Sequence, residues 1–317
     1  MATNDIQVSL LRDIADLRQS YPLQGFNVLG AGGVADYFTV AHTTIELASA
    51  VKAAIDSKVP YLVIGQGSTV LFSDGGFPGL VIKNESSAIA VDKEKSQIVV
   101  DSGVSLKQLI TAAGNQGLGG LTHLYGEQGT VGGAVYGGCG PARMPLSSSL
   151  RFLTILTPPA KIDKEATIAR YKGDWLHKEG QISKLYYQKS HQLGGEFQPV
   201  ILTVLFQLTS VRTDEVLLRL RRQTALNSAD VPEGNLMGPV FLPPEGQPLG
   251  QVLALAELAG MKAGFITVDR KYPNYLTVRG GVARSADIRG LIEGMQEKVL
   301  ARTGIMLTCR YEFLGEW

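Results

Sequence analysis

Apolar side chains recur along the chain with two periods, and these divide it into helices and strands. Over residues 43–58 the apolar positions Ile45, Leu47, Ala48, Val51, Ala54 and Ile55 return at helical spacing, predicting a helix with one buried face. The same spacing predicts a short helix over 5–19, with Leu10, Leu11, Ile14 and Leu17 on one side, and a longer one over 285–302. In the longer helix Ile288, Leu291, Ile292, Met295 and Val299 form the stripe, Ser285 is the expected N-cap, and Gly304 stands where a helix C-cap belongs. Further helices are expected over 105–115, with Ser105 as N-cap, over 213–226, and over 248–260. Short β-branched or apolar runs predict strands at 34–40, 61–65, 70–72, 79–82, 97–101, 151–156, 200–208 and 307–314. No repeat and no low-complexity tail interrupts this order.

One stretch tests the pattern. FNVLGAGGVADYF (26–38) carries Gly30-x-Gly32-x-x-Ala35, the spacing of a dinucleotide-binding glycine turn. That turn must open a long helix, whose N-terminus holds the cofactor pyrophosphate. Here DYFTVAHTT comes next, with the β-branched and aromatic content of a strand. The next strand ends in Gly65, where a ribose-binding acid would stand. The glycines are therefore expected to turn the chain into a strand and to contact no NAD.

Composition narrows the class. The 317 residues exceed one small domain, and 44% hydrophobic with 19% charged content describes folded cores. A net charge of +1 supplies no field for nucleic acid or an anionic membrane, and no apolar run approaches a membrane span. The first twenty residues lack a basic region followed by an apolar core, so a cytoplasmic protein without a signal peptide is expected. Cys139 and Cys309 are far apart, the histidines His42, His123, His177 and His191 lack helical metal spacing, and no metal site is expected. Glycine is the exception: 37 residues, eleven of them from Gly114 to Gly140. That density marks tight turns or close approach of backbone to a ligand.

Two glycine segments carry candidate chemistry. YLVIGQGSTVLFSD (61–74) runs an apolar strand into Gly65-Gln66-Gly67-Ser68-Thr69, small residues able to offer several backbone amides to a phosphate without a lysine. Taken alone it reads equally well as a glycine hairpin. LYGEQGTVGGAVYGGCG (124–140) contains Gly129-Thr130-Val131-Gly132-Gly133-Ala134, either a second wall of the same site or a tight loop on a sheet.

Together these segments resemble the UDP-N-acetylenolpyruvoylglucosamine reductase family. Residues 27–35 are similar to its opening N-T-x-x-I-G-G-x-A, residues 63–74 to V-L-G-x-G-S-N-x-L-x-x-D, and residues 126–140 to G-I-P-G-T-V-G-G-A-V-x-x-N-A-G. GQVLALAELAGMK, KYPNYLTVRGG and the helix ending at Gly304 come next in family order, so the resemblance covers most of the chain. It implies an α+β fold of the vanillyl-alcohol-oxidase type, with two FAD-binding lobes (1–84 and 85–210, the latter rejoined by the strand 305–317) and a substrate lobe (211–304). It implies non-covalent FAD held by Gly65, Gln66, Gly67, Ser68, Thr69, Gly129, Thr130, Gly132, Gly133 and Ala134. It further implies NADPH as hydride donor and a nucleotide-sugar substrate near Tyr187, Lys271 and Asn274, in a monomer. The short connection from Gly140 to Val200 is similar to the compact subgroup.

Three positions depart from the family. Its proton donor, a serine in G-S-x-F-K-x-P, is matched by Pro239, which has neither hydroxyl nor amide hydrogen. The arginine of Y-R-x-S is matched by Gln188, with Lys189 beside it, and the glutamate of E-V-R by Arg310 in Arg310-Tyr311-Glu312. The expectation is a flavoprotein reductase of weak or altered activity on the UDP-sugar; the alternative is a catalytically retired paralogue that binds FAD as a binding or interaction module. His123 is the histidine expected nearest the flavin, and Arg212, Arg219, Arg221 and Arg222 read as a solvated face.

Overall fold

The computed structural model describes residues 11, 14–140, 144–158, 166–172, 199–230, 235–244 and 246–317, with the backbone alone for 223–230. The chain forms two compact units: Met1–Arg18, Tyr37–Gln66 and Gly79–Asp230 make the first, and Gln19–Asp36, Gly67–Pro78 and Val231–Trp317 the second.

In the first unit a five-stranded antiparallel sheet runs in the order Thr167–Lys172, Leu150–Thr157, Val200–Gln207, Gln97–Asp101, Ile89–Asp92. The helix Leu106–Asn115 buries Leu106, Leu109, Ile110 and Ala113 in a core with Ile98, Val100, Val204 and Phe206. Its start is fixed by the expected cap: Ser105 accepts the Gln108 N–H, and the Gln108 side chain accepts the Ser105 N–H. The helix Thr44–Asp56 begins under Thr43 and buries Leu47, Ala50, Val51, Ala54 and Ile55 in a second core with Leu80 and Ile82. The expected face is turned slightly, for Ile45 is 78% exposed and Ala50 takes its place. The strand Tyr61–Ile64 pairs in parallel with Phe77–Asn84, Tyr61 opposite Leu80 and Ile64 opposite Lys83.

In the second unit a small antiparallel sheet (Leu236–Met237, Leu276–Val278, Ile266–Val268, Lys262–Ala263) packs with the helix Ser285–Thr303 around Ile288, Leu291, Ile292, Met295 and Val299. That helix ends at Gly304, which takes the left-handed conformation expected of it, at φ 72°. The cap at its start does not come from Ser285. The Ser285 hydroxyl is buried without a partner, and the Asp74 carboxylate accepts the N–H groups of Ser285 and Ala286 at 2.8 and 3.0 Å. A residue 211 positions away does what local sequence reasoning assigned to the neighbour.

The glycine turn of residues 30–35 opens a strand, Val34–Ala41, as expected. Gly30 and Gly32 lie at φ 70° and 136°, and a Cβ on Gly33 would overlap the backbone of Asp74 and Gly76. Positive φ favours glycine at 30 and 32, and close backbone packing demands it at 33. Three expected elements are cut short. Of the helix expected over 5–19, residues 5–10, 12 and 13 lie outside the described residues; Asp16 takes φ 52°, and Arg18–Pro22 is a strand. Glu257, also at φ 52°, lies just past the end of a helix that spans only Leu249–Leu255. The strand expected over 307–314 is reduced to Glu312–Leu314, because Cys309 bridges to Phe241 instead.

Candidate functional site

The strand Tyr61–Ile64 delivers the chain into Gly65-Gln66-Gly67-Ser68-Thr69. A Cβ on Gly65 would collide with the Thr130 side chain, and Gly67 lies at φ 71°. Among the described residues the amides of Gln66, Gly67, Ser68 and Thr69 meet no acceptor, while the Thr69 carbonyl accepts the Glu312 N–H at 2.9 Å. Four consecutive amides without an acceptor among the described residues are able to donate to an anion.

The second glycine segment is built differently. Thr130 caps the short helix Val131–Tyr136. The Val131 N–H donates to the Val104 carbonyl at 2.7 Å and the Gly132 N–H to the Ser102 carbonyl at 2.8 Å. Gly129 donates to Gln66 Oε1 at 3.2 Å, Gly133 to Thr130 Oγ1 at 3.4 Å, and Ala134 to the Thr130 carbonyl at 2.8 Å. These bonds tie the wall to the Gly65–Gln66 corner within the first unit. Ser102 is in turn held by a buried network: Asn84 Nδ2 donates to Ser102 Oγ at 2.7 Å, while Ser86 donates through both its N–H and hydroxyl to Asn84 Oδ1. Gly132 lies against this support, where a Cβ would come within 2.9 Å of Ser102 Cβ. No sequence motif pointed to Asn84 or Ser86. His123, just before the segment, bonds through Nε2 to the Met144 carbonyl at 2.9 Å.

In the second unit the structure brings together positions distant in sequence. Val240, next to Pro239, accepts the Arg310 N–H at 2.8 Å, and Leu242 donates to the Thr308 carbonyl at 3.0 Å. Asn274 clamps the same loop: its Oδ1 accepts the Phe241 N–H at 2.9 Å and its Nδ2 donates to the Phe241 carbonyl at 3.1 Å. Lys271 sits beside it with Nζ 4.9 Å from the centre of the Tyr272 ring, and its N–H donates to Asp269 Oδ1. Burial pushes the Tyr311 hydroxyl up to about 12 and raises the Cys309 thiol and the Glu312 carboxyl above their ordinary values. Tyr187, Gln188 and Lys189 lie outside the described residues. Arg212 pairs with Asp214 and Arg219 with Glu215 on an exposed helix face, as expected of solvated charges. Among the described residues no cluster of His, Cys, Asp or Glu is arranged to hold a metal, and no helix is long and apolar enough to cross a membrane.

A family model for an FAD binding domain matches residues 35–162, which contain both glycine segments up to Ala134, and defines the chain as a flavoprotein by class. The C-terminal domain of UDP-N-acetylenolpyruvoylglucosamine reductase matches residues 231–314. A protein of that name from Lactobacillus delbrueckii subsp. bulgaricus is 28% identical over 95% of this chain and 96% of its own. Another, from Streptococcus pneumoniae, is 28% identical over 100% of this chain and 99% of its own. The chain belongs to the UDP-N-acetylenolpyruvoylglucosamine reductase family. Its fold is that of the UDP-N-acetylenolpyruvylglucosamine reductase of Thermus caldophilus, with TM-score 0.71 and 23% identity over 94% of this chain and 98% of that one. The fold is thus the α+β, vanillyl-alcohol-oxidase-type arrangement that the resemblance implied.

Proposed function

We propose that this chain binds FAD non-covalently and reduces UDP-N-acetylglucosamine enolpyruvate to UDP-N-acetylmuramate with NADPH, in peptidoglycan precursor synthesis. The observation that carries the reading is the run of four amides without acceptors at Gln66, Gly67, Ser68 and Thr69, inside a chain of this family. Amides of this kind hold phosphate oxygens, and the Gly65–Gln66 corner is braced by the wall of Gly129, Thr130, Gly132, Gly133 and Ala134. Bound flavin would supply the hydride acceptor and donor that this chain's own side chains lack. Lys271 offers a cation to the substrate diphosphate, Asn274 acts by fixing the loop at Phe241, and Tyr187 completes the candidate substrate contacts. Pro239, Gln188 and Arg310 stand at the family's catalytic positions, so the proton-transfer half of the reaction runs on different groups and at an altered rate. On this reading the protein is a cytoplasmic monomer of three lobes, 1–84, 85–210 and 211–304; the C-terminal strand does not rejoin 85–210 as expected, because Glu312–Leu314 pairs with Val70–Phe72.

Anaerobic stopped-flow spectroscopy tests this. Yellow protein whose colour passes to the supernatant on acid precipitation, bleached by NADPH and recoloured by the enolpyruvyl substrate, is the expected result. Colourless protein, or FMN in the supernatant, would refute it.

A further inference from the structure

The segment 308–312 runs between two loops of the second unit. On one side its backbone bonds to Val240 and Leu242, next to Pro239; on the other Glu312 donates to the Thr69 carbonyl and pairs in register with Val70. Cys309, Tyr311 and Phe313 pack on the apolar core of this unit. Glu312 opens the short strand Glu312–Leu314 beside Val70. The reversal of E-V-R to Arg-Tyr-Glu keeps one carboxyl and one guanidinium in the segment and moves the carboxyl two residues along it, to the residue whose N–H bonds the Thr69 carbonyl.

We infer that Glu312 is the acid that protonates the α-carbon of the enolpyruvyl group in this chain, where Pro239 leaves no donor. The inference rests on the reading given under Proposed function. No hydrogen bond or ion pair engages the Glu312 carboxyl among the described residues, and burial alone pushes it above its ordinary value, so it keeps a proton closer to neutrality. The other acids of the neighbourhood are committed. Asp74 caps the helix Ser285–Thr303, Asp269 accepts the N–H groups of Lys271 and Tyr272, and Asp287 pairs with Arg284. Tyr311 and Cys309 face the core with raised values. In the step, the Glu312 O–H bond breaks as a C–H bond forms at the α-carbon. The electron pair comes from the C=C bond, whose β-carbon takes the hydride that bound flavin would supply. Solvent then reprotonates the carboxylate.

The test compares wild type, Glu312→Gln and Glu312→Asp by flavin content, by reoxidation with UDP-N-acetylglucosamine enolpyruvate, and by the pH profile of that step. Glu312→Gln should retain flavin and reoxidise about 10²–10⁴-fold more slowly. Glu312→Asp should restore much of the rate, with its pH limb displaced. The charged and titratable groups around the site are Arg310 two residues before it, Tyr311 and Cys309 on the core with Tyr275 near Tyr311, and Arg289 over the ring of the adjacent Phe313; Thr69 and Val70 contribute none. Reoxidation of Glu312→Gln within about threefold of wild type overturns the assignment. If Glu312→Gln loses its flavin, Glu312→Asp decides: an unmoved pH limb overturns it, a displaced one supports it. Wild type that binds no flavin, or is not reduced by NADPH, overturns the underlying reading instead, and is seen before any variant is made.

Discussion

The wall at Gly129–Ala134 and the loop at Gly238–Leu242 each sit beside a position that the family uses, yet they tolerate change in opposite ways. In the wall the chemistry belongs to the backbone. Gly132 cannot carry a Cβ because Ser102 fills the space, and Gly65 cannot because Thr130 does. Replacing either disturbs the frame itself. In the loop the frame is held by backbone bonds to residues 308–310 and by Asn274, none of which involves the side chain at 239. The side chains at 239 and 310 can therefore change while the loop stays in place. A site made of amides is protected by packing; one made of projecting side chains is protected only by what it does.

Breaking the wall should have the largest effect. Gly132→Val places its Cβ against a Ser102 that Asn84 holds at 2.7 Å and that therefore cannot move aside. Overpacking of this kind costs about 1–3 kcal/mol. Transferred to binding, that is a loss of roughly 5- to 150-fold in FAD affinity. Titration of apoprotein with FAD, followed by fluorescence quenching, measures it. Unchanged affinity in a variant with native circular dichroism would show that the wall plays no part in holding the flavin.

On the loop side Asn274→Ala separates two roles for one residue. Both bonds to Phe241 disappear, leaving an N–H and a carbonyl of a buried residue unpaired, at a cost of about 1–3 kcal/mol. Urea unfolding of the ligand-free protein should register that loss. An asparagine serving the substrate diphosphate alone would leave the ligand-free stability where it was.

The same contrast explains what could be read from the sequence. The helices 43–58, 105–115 and 285–302 were legible because each carries a one-sided apolar stripe, whereas each glycine segment alone fitted a hairpin or tight loop as well as a phosphate site. The β-branched and aromatic residues after Ala35 exclude the Rossmann look-alike, and Val34–Ala41 is indeed a strand. Interactions that close only in three dimensions were hidden. Asp74 as a cap, Asn84 and Ser86 behind Ser102, and Asn274 as a clamp each join segments by hydrogen bonds that no local pattern announces. Glu312 stood in view as part of an inverted motif, but its missing partner is a property of the fold alone. The short strand at Arg18–Pro22 escaped because its side chains are mostly exposed and show no alternation.

Asp74→Ala should have a smaller effect. It removes a charged acceptor from two N–H groups at the start of the helix Ser285–Thr303, a capping loss of about 1–2 kcal/mol. Thermal unfolding should show a drop of a few degrees, roughly 2–4 °C per kcal/mol for a chain above 150 residues. Asp74→Asn keeps an acceptor without the charge and should fall between the two. If Asp74→Ala were silent, Ser285 would have to rotate its buried hydroxyl into the cap, as the sequence alone suggested.

The smallest effect is the one that reports most directly on Glu312 without any flavin chemistry. Its carboxyl has an ordinary value of 4.5, and burial raises it in the folded protein. The folded state then holds its proton over a pH range in which the unfolded chain has released it. By linkage, a group with a raised folded pKa contributes stability that is fully present below the unfolded value and is lost as pH rises through the folded one. Wild type should therefore lose stability relative to Glu312→Gln as pH rises from about 4 toward 8. Asp101, also raised by burial, acts in the same direction, and Asp287, lowered by Arg284, acts oppositely. Both are common to the two proteins and cancel in the difference. Urea unfolding of the two apoproteins across that range supplies the curve. A flat difference would mean that water solvates the carboxyl in the native state. A difference of opposite slope would mean that Arg310, two residues away, has paired with it. In either case Glu312 would be an ordinary ionised side chain at neutral pH, with no proton to give.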